Sequence, residues 1–211
     1  AYEISSCDWS SDVCSSDRRE QLIDVALDLF ARQGFAATST QQIAKAAGVA
    51  QGLIFHYFGS KEGLLSAVLA SRRSFATDMP NLLASVQVSQ MPLGEVLRAV
   101  CRQWFDTLRH ETSATLLLTS LALTDAHFGE RLTRAVDNAL GELSDFLEQR
   151  RRDGEVRVED DLRVAAHDIL IPVIVFFLLH HCEPDWEQAA EHFVESHCSF
   201  WQRALGADIE A

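Results

Sequence analysis

The sequence predicts an all-α protein: an N-terminal three-helix helix-turn-helix domain followed by a larger C-terminal helical domain. Three observations predict it. Successive segments carry apolar residues at i, i+3, i+4 and i+7, the period of a helix with one buried face. No segment alternates apolar and polar residues as a half-buried strand does, and neither a glycine-rich phosphate loop nor a GxSxG elbow occurs. Near the N-terminus, two short helical patterns meet at a Gly-containing turn and follow a longer helix, the arrangement of a helix-turn-helix unit. The 211 residues, 47% hydrophobic and 23% charged, are enough for a packed core.

Residues 1–17, AYEISSCDWSSDVCSSD, are polar, repeat SSD and lack helix or strand periodicity. They read as a non-native leader, outside the fold. From Arg18 to Gln33 the stripe Leu22, Val25, Ala26, Leu29 and Phe30 predicts an amphipathic helix, with Gly34 at its C-terminal cap and Phe35 folding back on it. Thr38, Ser39 and Thr40 offer N-caps to the next helix, and Thr38 with Gln41 has capping-box spacing. Ile43, Ala44 and Ala47 form its inner face, Gly48 ends it, and Val49 fills the turn. A third helix over Ala50 to Phe58 turns Ile54 and Phe58 inward and presents Gln51, Gly52, Leu53, Phe55 and Tyr57 outward. The domain boundaries predicted are 18–63 for this unit and 64–211 for the remainder.

In the remainder, Leu64, Leu65, Val68 and Leu69 begin a helix expected to join the small domain to the large one. Pro80 and Pro92 bound the next segments. Leu97, Val100, Cys101, Trp104, Phe105 and Leu108 form a stripe that Leu116, Leu117, Leu118 and Leu121 continue. A long helix from Phe128 to Leu147 ends in Arg150, Arg151 and Arg152, which complement its dipole and need no nucleic-acid role. Asp160 or Asp161 caps the next helix, apolar around its circumference between Ile169 and Leu179. That run of 11 residues, interrupted by Pro172, is too short to span a membrane, which takes about 20 residues. A last helix, after Pro184, carries Trp186, Ala190, Phe193, Val194, Trp201 and Leu205.

The net charge of −13 argues against nucleic acid until its distribution is considered. Residues 1–17 hold four acids and no base. Residues 18–75 hold seven bases against four acids, a net of +3, and the rest of the chain nets −12. A basic head sits on an acidic body. Five cysteines in odd number, without a CxxC pair or a signal peptide, point to a reducing, cytoplasmic setting.

The stretch ALDLFARQGFAATSTQQIAKAAGVAQGLIFHYFGSKEGLLSAVL is similar to the signature of the TetR (tetracycline repressor) family of transcriptional regulators. Two positions depart from it: Phe55 stands where the family usually has tyrosine, and Leu53 where many relatives carry a small polar residue. The resemblance implies a repressor, not an enzyme, that binds a double-stranded DNA operator as a homodimer through its two C-terminal helices. It also implies release by a small-molecule effector held in the C-terminal ligand-binding and dimerisation domain. By the family pattern, Thr40 and Gln41 would meet phosphates, while Gln51, Gly52, Leu53 and Phe55 would face base edges, with Gln51 able to pair with adenine. Tyr57 and Lys61 would clamp the backbone. Trp104, Phe105, Leu108, Leu117 and Leu121 fall in the family's pocket region, and the acidic body favours an apolar or amphipathic ligand over an anion.

The expectation includes no catalytic residue, metal, cofactor or membrane partner. Two other readings compete with this one. A metal-responsive regulator would use His180, His181, Cys182, His192, His197 and Cys198, which lack an i, i+4 histidine pair around an acid. A purely architectural DNA-binding protein would have little use for the large apolar body around Trp104 and Phe105.

Overall fold

The structure, a computed structural model, describes residues 9–71, 79, 81–84 and 90–207. Arg72, Arg73, Pro80, Cys7 and the side chain of Cys14 lie outside that description. Among the described residues there is no strand, and nine helices follow one another. They are α1 (Trp9–Gln33), α2 (Thr40–Ala46), α3 (Gly52–Phe58), α4 (Lys61–Ala70), α5 (Leu93–His110), α6 (Thr112–Thr124), α7 (Ala126–Arg152), α8 (Leu162–His180) and α9 (Trp186–Ala204). The all-α expectation holds.

The chain divides into two compact units. One comprises Ala1–Arg72 with Leu116–Leu121, the other Arg73–Thr115 with Ala122–Ala211. In the first, α1 packs on α2 and α4, while α3 packs on α2 and α4. Because α1 serves two neighbours, its buried face is wider than the expected stripe. Leu22, Ala26 and Phe30 are buried as predicted, Ile23 and Leu27 join them, and Val25 and Leu29 are only half-buried. Residues 9–17 also depart from expectation: the segment from Trp9 extends α1. Adding residues to an existing helix gains one hydrogen bond each without a new nucleus, so weak periodicity suffices there.

The cap of α2 is one residue later than the spacing suggested. Ser39 is the N-cap, its hydroxyl accepts from the Gln42 N–H at 3.2 Å, and the Gln42 side chain accepts from the Ser39 N–H at 2.7 Å. Thr38 is buried instead, its hydroxyl donating to the Gly34 carbonyl at 2.8 Å, so it secures the end of α1 and is unavailable to α2. Phe35 does fold back, with its ring edge-on to Phe30 at 5.2 Å. At the α2–α3 turn, Gly48 adopts φ +67°, a conformation L side chains rarely take. Ser60 caps α4 by accepting from the Gly63 N–H at 3.0 Å.

In the second unit α8 is central, packed against α5, α7 and α9, and α5 also packs on α9. Ala166, Ile169, Leu170, Val173 and Phe177 form the buried face of α8, meeting a core that includes Val100, Leu143 and Val194. The helix continues through Pro172, and its 19 residues are long and apolar enough, by length and composition, to cross a membrane. The 11-residue run had understated it, since proline removes one backbone donor and need not end a helix held by packing on three sides. Asp161, not Asp160, caps α8, accepting from the Arg163 N–H at 2.9 Å. The arginines ending α7 have tertiary work as well. Arg150 donates to Glu155 at 2.5 Å and to the Met91 carbonyl at 2.9 Å, while Glu155 accepts from the Leu93 N–H at 2.6 Å, fastening the end of α7 to the start of α5.

Candidate nucleic-acid interface

Helix α3 has one core residue, an exposed face and three half-buried side chains between them. Ile54 is fully buried, while Gln51, Gly52, Phe55 and His56 are exposed, and Phe55 keeps 48% of its surface in solvent. Phe58, expected inside, is half-buried, with the Arg19 guanidinium 5.4 Å from its ring centroid. A single exposed phenylalanine ring is ordinary by itself and bears on function only through the candidate residues beside it. Gly52 has no structural justification within the fold: a methyl group there would meet no heavy atom within 4 Å.

The other expected contact residues surround this face. Thr40 opens α2, and its hydroxyl accepts from the Gln51 side-chain amide at 2.8 Å, so the starts of α2 and α3 are joined through two of the candidate residues. Gln41 is exposed beside them, and Leu53 and Tyr57 are half-buried. Tyr57 stands edge-on to Phe58 at 6.1 Å. The Lys61 ammonium lies 4.3 Å from the centroid of Phe35, which holds a long side chain in place on the surface. Next to it, the Glu62 carboxyl is held below its usual range by its own backbone N–H and by the Ser60 hydroxyl. Sequence reasoning passed over a concavity of about 710 Å³ beside α3, lined by Arg18, Gln21, the turn from Ala47 to Ala50, Gly52 and Leu53. Its only advance signal was the start of the basic block at Arg18.

The five expected effector residues are all buried, three in one unit and two in the other. Trp104, Phe105 and Leu108 are buried together in the core of the second unit. Leu117 and Leu121 are also buried but belong to the Leu116–Leu121 segment of the first unit. Of the five, Phe105 alone lines the cavity of about 300 Å³ that opens between α5 and α9, together with Arg102, Asp106, Arg109, Trp186, Glu187, Ala190, Glu191 and Val194. Arg102 pairs there with Glu191 and, at 2.5 Å, with Glu195. The spacing of Glu187, Glu191 and Glu195 along one face of α9 could have flagged this row.

The C-terminal histidines and cysteines are engaged separately. His197 Nε2 donates to the Ile169 carbonyl at 3.0 Å, and burial pushes its pKa below the ordinary 6.5. His180 Nδ1 pairs with Glu183 at 3.0 Å, and His181 Nδ1 contacts the Phe177 carbonyl at 3.1 Å. Cys198 and Cys101 are buried thiols, and the Cys198 side chain together with burial raises the Cys101 pKa well above its usual value. Among the described residues no three such groups gather as metal ligands would, and the metal-responsive reading is not favoured.

Residues 22–68 match the family described as bacterial regulatory proteins, tetR family. The HTH-type transcriptional repressor KstR2 of Rhodococcus jostii (strain RHA1) is 31% identical over 102 residues, 48% of each chain. This chain therefore spans about half or less of the curated relatives it matches. Among solved structures, Salmonella enterica GusR aligns with a TM-score of 0.70 at 18% identity, over 90% of this chain and 96% of its own. A SmeT–triclosan complex aligns at 0.68 with 20% identity, over 89% and 91%. Those likenesses establish a shared fold.

Proposed function

We propose that this chain, whose residues 22–68 match the tetR family of bacterial regulatory proteins, is a homodimeric transcriptional repressor whose hold on a DNA operator is loosened by a small apolar or amphipathic molecule. The observation that carries the DNA-binding part is the outward face of α3, where Gln51, Gly52 and the bare ring of Phe55 stand together with no packing role inside the fold. Thr40, Gln41, Tyr57 and Lys61 supply backbone contacts around it, and Gln51, Gly52, Leu53 and Phe55 meet base edges. The test is genome-wide binding followed by footprinting of the purified chain. A protected palindrome whose recovery depends on Gln51 and Lys61 is expected, and a chain that protects no site at low salt refutes the reading.

The body, residues 64–211, carries dimerisation and effector binding in this reading. One stripe of α8 leaves Val164, Val175 and Leu179 exposed, and α9 adds Phe200. A symmetric copy covering them would set two α3 helices on one face of the duplex. An effector that prefers one arrangement of that dimer shifts the population away from the operator-bound form. The structure recorded as a SmeT–triclosan complex shows that a protein of this fold accepts a small organic molecule. The protein would work on DNA in the cytoplasm. Screening a broad set of apolar compounds for thermal stabilisation and operator release tests the effector; release only by zinc or copper overturns it.

A further inference from the structure

We propose that Thr40 positions Gln51 to read an adenine, through a hydrogen-bond relay from a DNA phosphate to the Thr40 hydroxyl, to the Gln51 amide, to the base. This rests on the operator reading above and adds a positioning role to it. The Gln51 side-chain amide donates to the Thr40 hydroxyl oxygen at 2.8 Å, linking the starts of α2 and α3. Neither helix needs that bond as a cap. Ser39 and Gln42 cap α2, and Gln51 makes no side-chain cap to α3 although it stands at the capping position. The turn between the helices is closed by its own backbone: the Val49 N–H donates to the Ala44 carbonyl at 3.0 Å and the Gly48 N–H to the Lys45 carbonyl at 3.2 Å. Gln51 is exposed and Thr40 half-buried, and a neutral hydrogen bond in contact with water adds little stability. Its effect is to orient. Glutamine loses much rotamer freedom when a ligand fixes it, and a bond formed beforehand removes part of that cost.

The count of donors and acceptors sets the direction of the relay. A threonine hydroxyl has one proton and two lone pairs. Having accepted from Gln51, Thr40 keeps its proton, and no group among the described residues accepts it. A phosphate oxygen, which only accepts, is the partner that proton suits. With the amide turned the other way, Thr40 would spend its proton on Gln51 Oε1 and show the phosphate only lone pairs. At the far end, Gln51 retains Oε1 and one N–H, neither engaged among the described residues. That acceptor and donor match the N6 amino group and N7 of adenine. Guanine presents two acceptors, N7 and O6, and would set Oε1 against O6. Donation from Thr40 to an anion also polarises its oxygen into a better acceptor, so seating on the phosphate tightens the hold on Gln51.

Selection by the purified full chain from a randomised duplex library, followed by affinities for the selected site and its single-base variants, tests the relay. The wild type should select adenine at one step of each half-site. Gln51→Ala should lose about fivefold to a hundredfold of that preference, the strength of one bidentate contact. Thr40→Val keeps the side-chain shape without the hydroxyl, and the α2 cap stays with Ser39 and Gln42, so the variant should melt as the wild type does. It should lose about twofold to tenfold of the preference at the same step and none at other steps. Thr40→Ser should restore the preference. The double variant Thr40→Val/Gln51→Ala should discriminate at that step as Gln51→Ala does, because Thr40 acts there only through the glutamine. A threonine that merely touches phosphate would lower affinity for every sequence equally. That result, additive losses in the double variant, or preference for another base at the step Gln51 controls overturns the relay and leaves the operator reading standing. A wild type that selects no sequence overturns the operator reading and the relay with it.

Discussion

Gly52 and His197 illustrate how single residues divide between function and fold. The helix gains nothing from glycine at position 52, where an added methyl meets nothing. Gly52→Ala should therefore stabilise the first unit by up to about 1 kcal/mol, the helix-propensity difference. On the proposed reading it should also weaken operator affinity, because the new carbon would stand where a base edge or phosphate approaches. Melting and gel-shift measurements on one preparation read both signs. Gln51→Ala should relax preference at one base step, and Lys61→Ala should weaken all sequences and reduce the salt slope by about one. His197 bears on pH. Burial holds it neutral below its ordinary 6.5, so as the pH falls the unfolded chain takes up the proton first. Its stabilising contribution is full above about pH 6.5 and is lost as the pH falls through the lowered folded value. Glu191, held low by Arg102, adds a loss of the same sign further into acid. A pH series of melting temperatures should show a decline beginning near pH 6.5 that His197→Gln flattens; an unchanged profile in the variant rejects this assignment.

At the scale of elements, the juncture of α3 and α4 fixes where α3, the helix proposed to face DNA, points. A methyl group on Gly63 would lie 2.0 Å from the Phe58 carbonyl oxygen, a backbone atom that can yield only by moving the end of α3. Gly63→Ala should cost about 1–3 kcal/mol, the usual range for overpacking. It should also reduce operator affinity beyond what the stability loss explains, in contrast to Gly52→Ala. Gel shifts at a temperature where both variants are fully folded separate the two effects; equal affinities would remove the argument that α4 positions α3. The helices themselves were legible because each buries a face with period 3.6. Their details were less so. The cap of α2 fell on Ser39 because the hydroxyl of Thr38 goes to the end of α1, a competition between two elements that spacing alone does not rank.

For the whole molecule the question is what covers α8 and α9. Phe193 and Trp201 are natural targets from the sequence, but Phe193 stacks on Phe176 at 4.7 Å inside the aromatic cluster, so a charge there would disrupt the body itself. Leu179, at 70% exposure, and Phe200, at 56%, are free of that objection. Leu179→Glu or Phe200→Glu should leave the melting of the monomeric fold nearly unchanged, convert the dimer to monomer in sedimentation velocity, and lower operator affinity by at least about a hundredfold through loss of the second head. A variant that stays dimeric, or a monomeric wild type that still protects a palindrome, rejects the interface through these helices.

The sequence by itself determined the helical class, the turn at Gly48 and the exposure of Gln51, Gly52 and Phe55 on α3. These rest on periodicity, on glycine stereochemistry and on a contiguous motif, all of which act within a few residues of one another. Tertiary structure decided what depends on residues far apart in the chain. It assigned Leu117 and Leu121 to the first unit and Trp104, Phe105 and Leu108 to the second, and it engaged Arg150 with Glu155 and Met91. It also set Trp186 against Phe105 beneath a row of ion pairs. A helix pattern records that a face is buried; which partner buries it depends on how α5, α8 and α9 pack, and no local period encodes that.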